Sequence, residues 1–274
     1  AYPRIWCRPC AIASAHIPTS GLTKKEASIL SGWTKEIVMT TYKVERASDP
    51  EDLARRAAQR LASHIDLVLD QRDRVQIALS GGSTPAIAYR LLGQERLPWD
   101  RVDVFLGDER WVDASDDASN ARMLRTTLLA EGPGSQAAFH PVPTVELPNP
   151  EASAEAYAKL VQETCAGDPP VFDLMVLGLG EDGHTASLFP GTDAPAVVDR
   201  WATVGKGKGL ERITLTAPVL SSAREVIFLV SGVGKQVALK RLLDSAESAE
   251  RTPARLVQPR SPILVLADEA ALLG

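Results

Sequence analysis

A histidine in a glycine-rich turn is the residue of this sequence best placed to do chemistry. His184 lies within LGLGEDGHTASLFPG (Leu177–Gly191), directly after an apolar run, and the chain has only four histidines. An imidazole has an ordinary pKa of about 6.5, so it can take a proton from water near neutral pH. Asp182 can orient the ring or stabilise the imidazolium. We therefore predict a general base; the competing interpretation is a helix-capping or core histidine.

The same turn contains a second pattern. Gly178, Gly180 and Gly183 spell G-x-G-x-x-G, the dinucleotide-binding fingerprint, and a predicted strand precedes them. The fingerprint also needs a helix after the turn, and Pro190 and Gly191 would cut that helix short. We favour the histidine interpretation over nucleotide binding.

A second glycine turn, SGGSTP (Ser80–Pro85), predicts an anion site. Gly81 and Gly82 let the backbone approach a ligand, while Ser83 and Thr84 add hydroxyl donors. Thr84 is the predicted cap of a following helix, whose free N–H groups favour negative charge. The turn lacks the spacing and the lysine of a P-loop. We predict a phosphate site; the alternative is a tight turn with an ordinary cap.

A nucleophilic serine is a further alternative for this turn. Ala78–Gly82 is close to the G-x-S-x-G nucleophile elbow, with alanine in place of the first glycine. Ser80 would then be an esterase nucleophile and His184 its base.

Charged residues after two other predicted strands complete the candidate set. Lys235, in SGVGK, is a candidate counter-charge for a phosphate. In the polar loop Gly107–Asn120, the planar guanidinium of Arg110 can bind phosphate or polarise a carbonyl. Asp108 and Glu109 are candidate bases or hold Arg110 in place, and Asp108 is also a candidate substrate-binding residue. The loop lacks the spacing of a calcium site.

Strands and helices alternate along the chain, and several strands are apolar on both faces, which predicts a mostly parallel, doubly wound α/β sheet with helices on both faces. Such sheets bind ligands at the carboxyl ends of their strands, which is where the motifs above lie. The predicted strands are Val75–Ser80, Val102–Gly107, Phe172–Gly180, Arg212–Thr216, Glu225–Gly232 and Pro262–Asp268, and the predicted helices begin at Pro50, at Pro85 and over Ser119–Ala130, Pro150–Cys165 and Val233–Leu243.

The composition is that of an ordinary globular protein. The chain has 274 residues, of which 45% are apolar and 24% charged, and a net charge of −5. That charge argues against nucleic-acid binding, and no apolar run approaches the roughly 20 residues that cross a bilayer. Three cysteines cannot form a disulfide framework, which favours the cytoplasm. We expect a monomer or a small homo-oligomer.

The first residues differ from the rest. Residues 1–38 contain five Lys or Arg and two Glu and show weak periodicity; we predict an unassigned N-terminal extension, with a single domain over 39–274 and a short helix over Gly21–Met39. Cys7 and Cys10 form C-x-x-C near His16. Zinc would lack a fourth ligand and a redox site would lack its preceding strand, so we interpret the pair as a coincidence.

Five motifs in order carry a family resemblance. ALSGGSTP, FLGDERWV…SN, GLGEDGHTASLFPG, RITLT and SGVGK resemble the 6-phosphogluconolactonases, within the glucosamine-6-phosphate isomerase/deaminase-like superfamily. The resemblance runs from about Met39 to the C-terminus. It implies a Rossmann-like fold and a hydrolase of the oxidative pentose phosphate pathway that uses no metal or cofactor. Its substrate would be 6-phospho-D-glucono-1,5-lactone.

The resemblance also implies roles for residues. His184 matches the residue that activates water, and Arg110 lies in the motif linked to substrate binding and carbonyl stabilisation. The Ser80–Thr84 turn and Lys235 match phosphate-binding positions. Arg212, in RITLT, matches an arginine of the active-site region.

The superfamily includes two other functions. The deaminase branch resembles the chain at GLGEDGH but continues with Asn-Glu-Pro, where this sequence has Ser187–Pro190. The carboxylate that would partner His184 in ring opening is therefore missing. A non-catalytic sugar-phosphate sensor would need an output module, and residues 1–38 lack a clear helix-turn-helix.

Overall fold

A computed structural model describes residues 40–273 of the chain. Thr40–Gly274 forms one compact unit. The predictions about Cys7, Cys10 and His16, and those about the extension and its helix, lie outside the described residues. The boundary between residues 38 and 39 stays a prediction.

Two sheets are built from the strands of this region. The strands are β1 (Tyr42–Ala47), β2 (Val75–Leu79), β3 (Val102–Leu106), β4 (Asp108–Arg110), β5 (Ala138–Phe139), β6 (Leu174–Gly178), β7 (Ala202–Gly207), β8 (Leu210–Leu215), β9 (Glu225–Val230) and β10 (Ile263–Asp268). Seven of them form one sheet in the order β1-β10-β9-β6-β2-β3-β5, and each neighbouring pair is parallel. The predicted doubly wound fold is confirmed: from β2 the chain extends through β3 to β5 on one side and through β6, β9 and β10 on the other.

The core explains why these segments became strands. Strand side chains such as Ile77, Phe105, Phe228 and Val265 are fully buried. A strand buried on both faces must be apolar almost throughout, and it lies where helices cover the sheet. Five of the predicted runs therefore coincide with strands of the parallel sheet, whereas its strands β1 and β5 were not predicted.

Helices connect the strands. They are α1 (Pro50–Leu69), α2 (Ser83–Leu92), α3 (Asn120–Arg125), α4 (Pro150–Thr164), α5 (Ala217–Ser222), α6 (Gln236–Leu243) and α7 (Glu269–Leu272). As predicted, α1 begins at Pro50, and the Asp49 side chain accepts a hydrogen bond from the Asp52 N–H at 2.8 Å. Within residues 40–273, no helix has the length and apolar character needed to pass through a bilayer.

Two helix predictions are corrected by the structure. Thr84 is not the cap of α2, because the helix begins at Ser83 and Gly82 is the N-cap, with a φ of +117° that favours glycine. The helix predicted over Ser119–Ala130 is much shorter and ends at Arg125. The hydroxyl of Thr126 donates to backbone carbonyls of the preceding turn and so competes with further helix.

The second sheet contains β4, β8 and β7 in that order, and its pairs are antiparallel. The prediction of a polar loop over Gly107–Asn120 is wrong at Asp108–Arg110, which form strand β4. Gly107 joins the two sheets: its N–H donates to the Leu79 carbonyl at 2.9 Å, and its carbonyl accepts from the Leu215 N–H at 3.0 Å. The chain therefore passes from β3 directly into β4, which brings charged side chains to the carboxyl end of the parallel sheet.

Candidate active site

One cleft of about 260 Å³ collects the motifs that follow β2, β3, β6 and β9. Its lining contains nine of the predicted site residues, and Asp182 and Glu109 are missing from it: Gly81, Gly82, Ser83, Thr84, Asp108, Arg110, His184, Arg212 and Lys235. Asp182 does not line the cleft but contacts His184 from behind. Sequence reasoning missed the cleft residues Asn120, Ser231 and Lys208. Asn120 stood at the end of a motif already singled out, whereas Lys208 gave no signal.

His184 and Asp182 form a hydrogen-bonded pair. Nδ1 of His184 lies 2.5 Å from Oδ1 of Asp182, and the same oxygen accepts from the His184 backbone N–H at 3.1 Å. A carboxylate can only accept, so Nδ1 carries the proton and Nε2 has a free lone pair. Nε2 has no hydrogen-bond partner within residues 40–273. Asp182 thus fixes the tautomer in which His184 can act as a base.

Glycine is required for this pairing at one position of the turn. A Cβ built on Gly180 would overlap the His184 ring and would lie 2.6 Å from Oδ1 of Asp182. The Gly180 N–H also donates to the His184 carbonyl at 2.8 Å and closes the turn. Gly180 therefore serves the histidine and not a nucleotide.

The dinucleotide alternative fails on the element that follows. After Gly183 the chain makes a turn and a bridge between Thr185 and Leu188, and the next helical segment is the 3₁₀ turn Ala194–Ala196. Within residues 40–273, the α-helix that follows these glycines begins only at Ala217, so the helix that the fingerprint requires directly after the turn is missing.

Burial tunes the His184 imidazole. Burial lowers the pKa of His184 below its ordinary value, and the hydrogen bond and charge of Asp182 oppose that shift without cancelling it. The ring packs on Phe189, with 4.2 Å between ring centroids. A lowered pKa keeps the imidazole neutral at pH 7, which is the form that a general base needs.

The predicted anion-binding turn, Ser80–Pro85, lines the same cleft as His184. The N-terminus of α2, a helix of ten residues, opens there with Ser83 and Thr84 in its first turn. Lys235 follows β9 and makes no ion pair with any residue of the described part. Its turn is anchored by Asp268, which accepts from the Ser231 hydroxyl at 2.5 Å and from the Gly232 N–H at 3.1 Å.

Asn120 positions Arg110 against the anion turn. Nη1 of Arg110 donates to Oδ1 of Asn120 at 2.7 Å and to the Ala118 carbonyl at 2.5 Å. The Asn120 amide donates in turn to the Asp108 carbonyl at 2.8 Å. A Cβ at Gly81 would overlap the Asn120 amide. Nε of Arg110 is buried and has no partner within the described residues, while the residue itself lines the cleft.

Glu109 holds the loop and does not face the cleft. Its carboxylate accepts from the backbone N–H groups of Arg110, Asn120 and Ala121 at 2.7–2.8 Å. Burial raises the pKa of Glu109, although these hydrogen bonds oppose the rise. Of the two sequence-based alternatives, a base or a support for Arg110, this geometry favours the support.

Asp108 and Arg212 form a buried ion pair in the wall of the cleft. Nη1 of Arg212 lies 3.6 Å from Oδ2 of Asp108, which also accepts from the Ser187 hydroxyl at 2.5 Å. The guanidinium stacks over the Phe189 ring, 5.4 Å from its centroid. The pairing of β4 with β8 sets Arg110 directly opposite Arg212. Two guanidinium groups therefore face the space in front of His184.

The nucleophile-elbow alternative lacks its hydrogen bond. Oγ of Ser80 is buried without any partner in residues 40–273, so it does not bond to His184. The Ser80 backbone is instead bound at both its N–H and its carbonyl by the Tyr89 hydroxyl, at 3.2 Å each. A serine that is not paired with a base remains a weak nucleophile.

Known proteins resemble this chain over most of its length. The family model described as glucosamine-6-phosphate isomerases/6-phosphogluconolactonase matches residues 48–266. A 6-phosphogluconolactonase of Synechocystis sp. is 41% identical over 222 residues, covering 80% of this chain and 92% of that protein. The human 6-phosphogluconolactonase is 39% identical over 231 residues, covering 80% of this chain and 86% of that protein.

Solved structures agree with these matches. A 6-phosphogluconolactonase from Trypanosoma brucei superposes with a TM-score of 0.76 at 28% identity, covering 85% of this chain and 98% of that one. One from Shewanella baltica gives a TM-score of 0.75 at 29% identity, covering 85% and 99%. The chain belongs to the glucosamine-6-phosphate isomerase/6-phosphogluconolactonase family.

Proposed function

We propose that this protein hydrolyses 6-phospho-D-glucono-1,5-lactone to 6-phospho-D-gluconate, a step of the oxidative pentose phosphate pathway. One observation carries the assignment: a histidine held by a carboxylate and an anion-binding turn line a single cleft. The names of the relatives at 39–41% identity support the same reaction. We place the enzyme in the cytoplasm, as a monomer or small homo-oligomer that does not bind nucleic acid.

Substrate binding begins at the phosphate. The backbone N–H groups and hydroxyls of Gly81–Thr84 hold the phosphate oxygens, and Lys235 supplies a positive charge. A helix N-terminus and a lysine suit a dianion because both offer positive charge. Binding energy from this remote group orients the lactone, which lowers the entropic part of the barrier.

Hydrolysis proceeds by direct attack of water on C1 of the lactone. Nε2 of His184 takes one proton from the water as its oxygen bonds to C1, and the carbonyl electrons move to the oxygen. When the tetrahedral intermediate collapses, the bond from C1 to the ring oxygen breaks, and the His184 imidazolium gives its proton to that oxygen. The acid formed at C1 then loses its proton to solvent at neutral pH. Asp182 stabilises the imidazolium throughout.

The negative charge that develops on the carbonyl oxygen must be stabilised by hydrogen-bond donors. Arg110 lines the cleft, and its guanidinium is held in place by Asn120, so it can donate with little reorganisation. A preorganised donor of this kind contributes about 3 kcal/mol of transition-state stabilisation in known enzymes.

Loss of the lactone, followed by NMR with the uncatalysed rate subtracted, tests the proposal. We expect the wild-type protein to accelerate ring opening and to release no ammonia from glucosamine 6-phosphate. Binding of 6-phosphogluconate without acceleration of lactone loss would overturn the enzyme assignment in favour of a sensor.

A further inference from the structure

A strained lysine forms the tip of the β7–β8 hairpin. Lys208 has φ of +53° and Gly209 has φ of +77°, and the Gly207–Leu210 pair closes the turn. Positive φ at both central positions is typical of a type I′ turn, where glycine and asparagine are preferred. Lysine is unfavourable in that conformation because of its Cβ. Turn geometry alone therefore does not explain the choice of lysine at this position.

The two lysines of this hairpin differ in what they contact. Lys206 makes an ion pair with Glu211 at 3.8 Å, and its side chain is 72% exposed. Lys208 lines the active-site cleft and makes no ion pair or hydrogen bond with any residue in 40–273. One hairpin thus carries a solvated lysine and an unpaired lysine at the mouth of the cleft.

The hairpin is fixed beside His184. A Cβ at Gly207 would overlap the ring of Phe189, and that ring in turn packs on the His184 imidazole. The Gly207 carbonyl accepts from Nε of Arg212 at 3.3 Å. The positive charge of Lys208 is among the influences that lower the pKa of His184. Lys208 therefore belongs to the histidine side of the cleft, and it comes from the small sheet, whereas Lys235 comes from the large one.

The proposed reaction creates a second anion at that side. The substrate enters with one charged group, its phosphate, and leaves with a carboxylate at C1. Charge at C1 appears first on the tetrahedral oxyanion and then on the product, next to His184. A flexible, unpaired ammonium group suits both, because it can follow the oxygens as they move.

We propose that Lys208 binds the C1 end of the sugar, its ammonium contacting the oxygens that become the product carboxylate. This inference rests on the proposed lactonase function. It adds a substrate-binding residue to the cleft and explains why a lysine occupies this turn despite its unfavourable backbone conformation.

The first test separates this role from a structural one. Lys208→Gly removes the ammonium and relieves the unfavourable φ, so the variant should unfold at the same temperature as the wild type or higher. We expect its kcat/KM for the lactone to fall by about tenfold or more. Lys206→Ala, in the same hairpin, should retain kcat/KM. Removal of the Lys208 charge should also move the acid limb of the pH–rate profile to higher pH, because the His184 pKa rises.

The second test uses two ligands that differ only at C1. 6-Phosphogluconate has a carboxylate there, and glucitol 6-phosphate has a hydroxymethyl group. In Lys208→Gly, we expect affinity to fall by roughly tenfold for 6-phosphogluconate and to stay unchanged for glucitol 6-phosphate. Lys235→Ala should weaken both ligands, because both have the phosphate.

Two results would overturn the inference while leaving the lactonase function intact. One is a Lys208→Gly variant with wild-type kcat/KM and wild-type affinity for 6-phosphogluconate. The other is an equal loss of affinity for both ligands, which would place Lys208 at the phosphate. Failure of the wild-type protein to open the lactone would instead refute the proposed function itself.

Discussion

Among single residues, the His184–Asp182 pair governs the pH dependence of the proposed reaction. His184 must be neutral to accept a proton, and burial has lowered its pKa. We expect kcat/KM to be constant near neutral pH and to fall as pH drops below about 6.5, the ordinary histidine value. Asp182→Asn removes a charge that raises this pKa, so the acid limb should move to lower pH while turnover falls. Rates of lactone loss between pH 5 and 8 measure both effects, and an acid limb that moves to higher pH would contradict the assignment.

The base and the phosphate ligand should affect different kinetic constants. His184→Asn removes general-base help, which typically contributes ~10²–10⁴-fold to the rate, and should lower kcat with KM largely kept. Initial rates over a range of lactone concentrations measure both constants. Near-normal turnover would refute the role of His184.

Lys235→Ala should have the opposite kinetic signature. The lysine interacts with a phosphate that does not react, so its loss weakens ground and transition states alike and raises KM. The same initial-rate measurement checks this expectation. An unchanged KM would count against the phosphate assignment.

Two glycines of the catalytic turn offer a matched pair. A Cβ at Gly180 would overlap the His184 ring, whereas a Cβ at Gly178 would have no atom within 4 Å. Gly180→Ala should therefore displace the ring and lower kcat by an order of magnitude or more, about the effect of misplacing a catalytic group by 1 Å. Gly178 also lines the cleft, and Gly178→Ala should leave the ring in place and keep kcat close to wild type. Equal activity of the two variants would show that the crowding at Gly180 is harmless.

Among the secondary-structure elements, the sequence predicts those whose residues form a local apolar pattern. Five strands of the parallel sheet are short apolar runs, and the sequence alone predicted these five, which are β2, β3, β6, β9 and β10. It did not predict β1, whose residues are mostly polar and exposed, or the two-residue β5. The sequence of β4 is Asp-Glu-Arg, which no apolar pattern identifies, and its partner β8 lies about a hundred positions later. The motifs therefore predicted most residues of the site, but not the position of Arg110 opposite Arg212 or the contribution of Lys208 from the small sheet. Those contacts depend on non-local pairing.

Glu109 connects an element to the site and can be tested through stability. Its carboxylate satisfies backbone donors at the start of α3. Glu109→Ala would leave them buried and unpaired, at about 1–3 kcal/mol for each group that water cannot reach. We expect urea unfolding to show a loss of at least about 2 kcal/mol, together with reduced activity as Arg110 shifts. A variant that is fully stable but inactive would instead indicate a catalytic carboxylate.

Across the whole molecule, the two ends of the parallel sheet differ in how their charged groups are paired. At the amino ends of β9, β6 and β3, buried or half-buried acids are paired with basic side chains. Glu225 pairs with His64 at 2.8 Å, Asp173 pairs with Arg72 and Arg224, and Asp103 pairs with Arg74 at 2.8 Å and His140 at 2.9 Å. At the carboxyl ends, Arg110 and Lys235 line the cleft and make no ion pair with any described residue. The charges paired at the amino ends hold the fold, and these two unpaired cations remain for the substrate.

Stability and activity should consequently fail at different pH values. Burial raises the pKa of Asp103, but hydrogen bonds from Arg74, His140 and Gln76 more than offset it, and the His64 hydrogen bond lowers the pKa of Glu225. A carboxylate with a lowered folded-state pKa contributes stability above its unfolded pKa, near 4, and loses that contribution as pH falls through the folded value. Activity should therefore decline with His184 protonation while the fold is intact, and unfolding should begin only below about pH 4.

Asp103→Asn should lower the free energy of unfolding at pH 7 by about 3 kcal/mol and flatten its dependence on pH below 5. Urea titrations between pH 3 and 7 measure this, and coincident acid limbs for activity and stability would show that unfolding, not protonation of His184, limits the reaction.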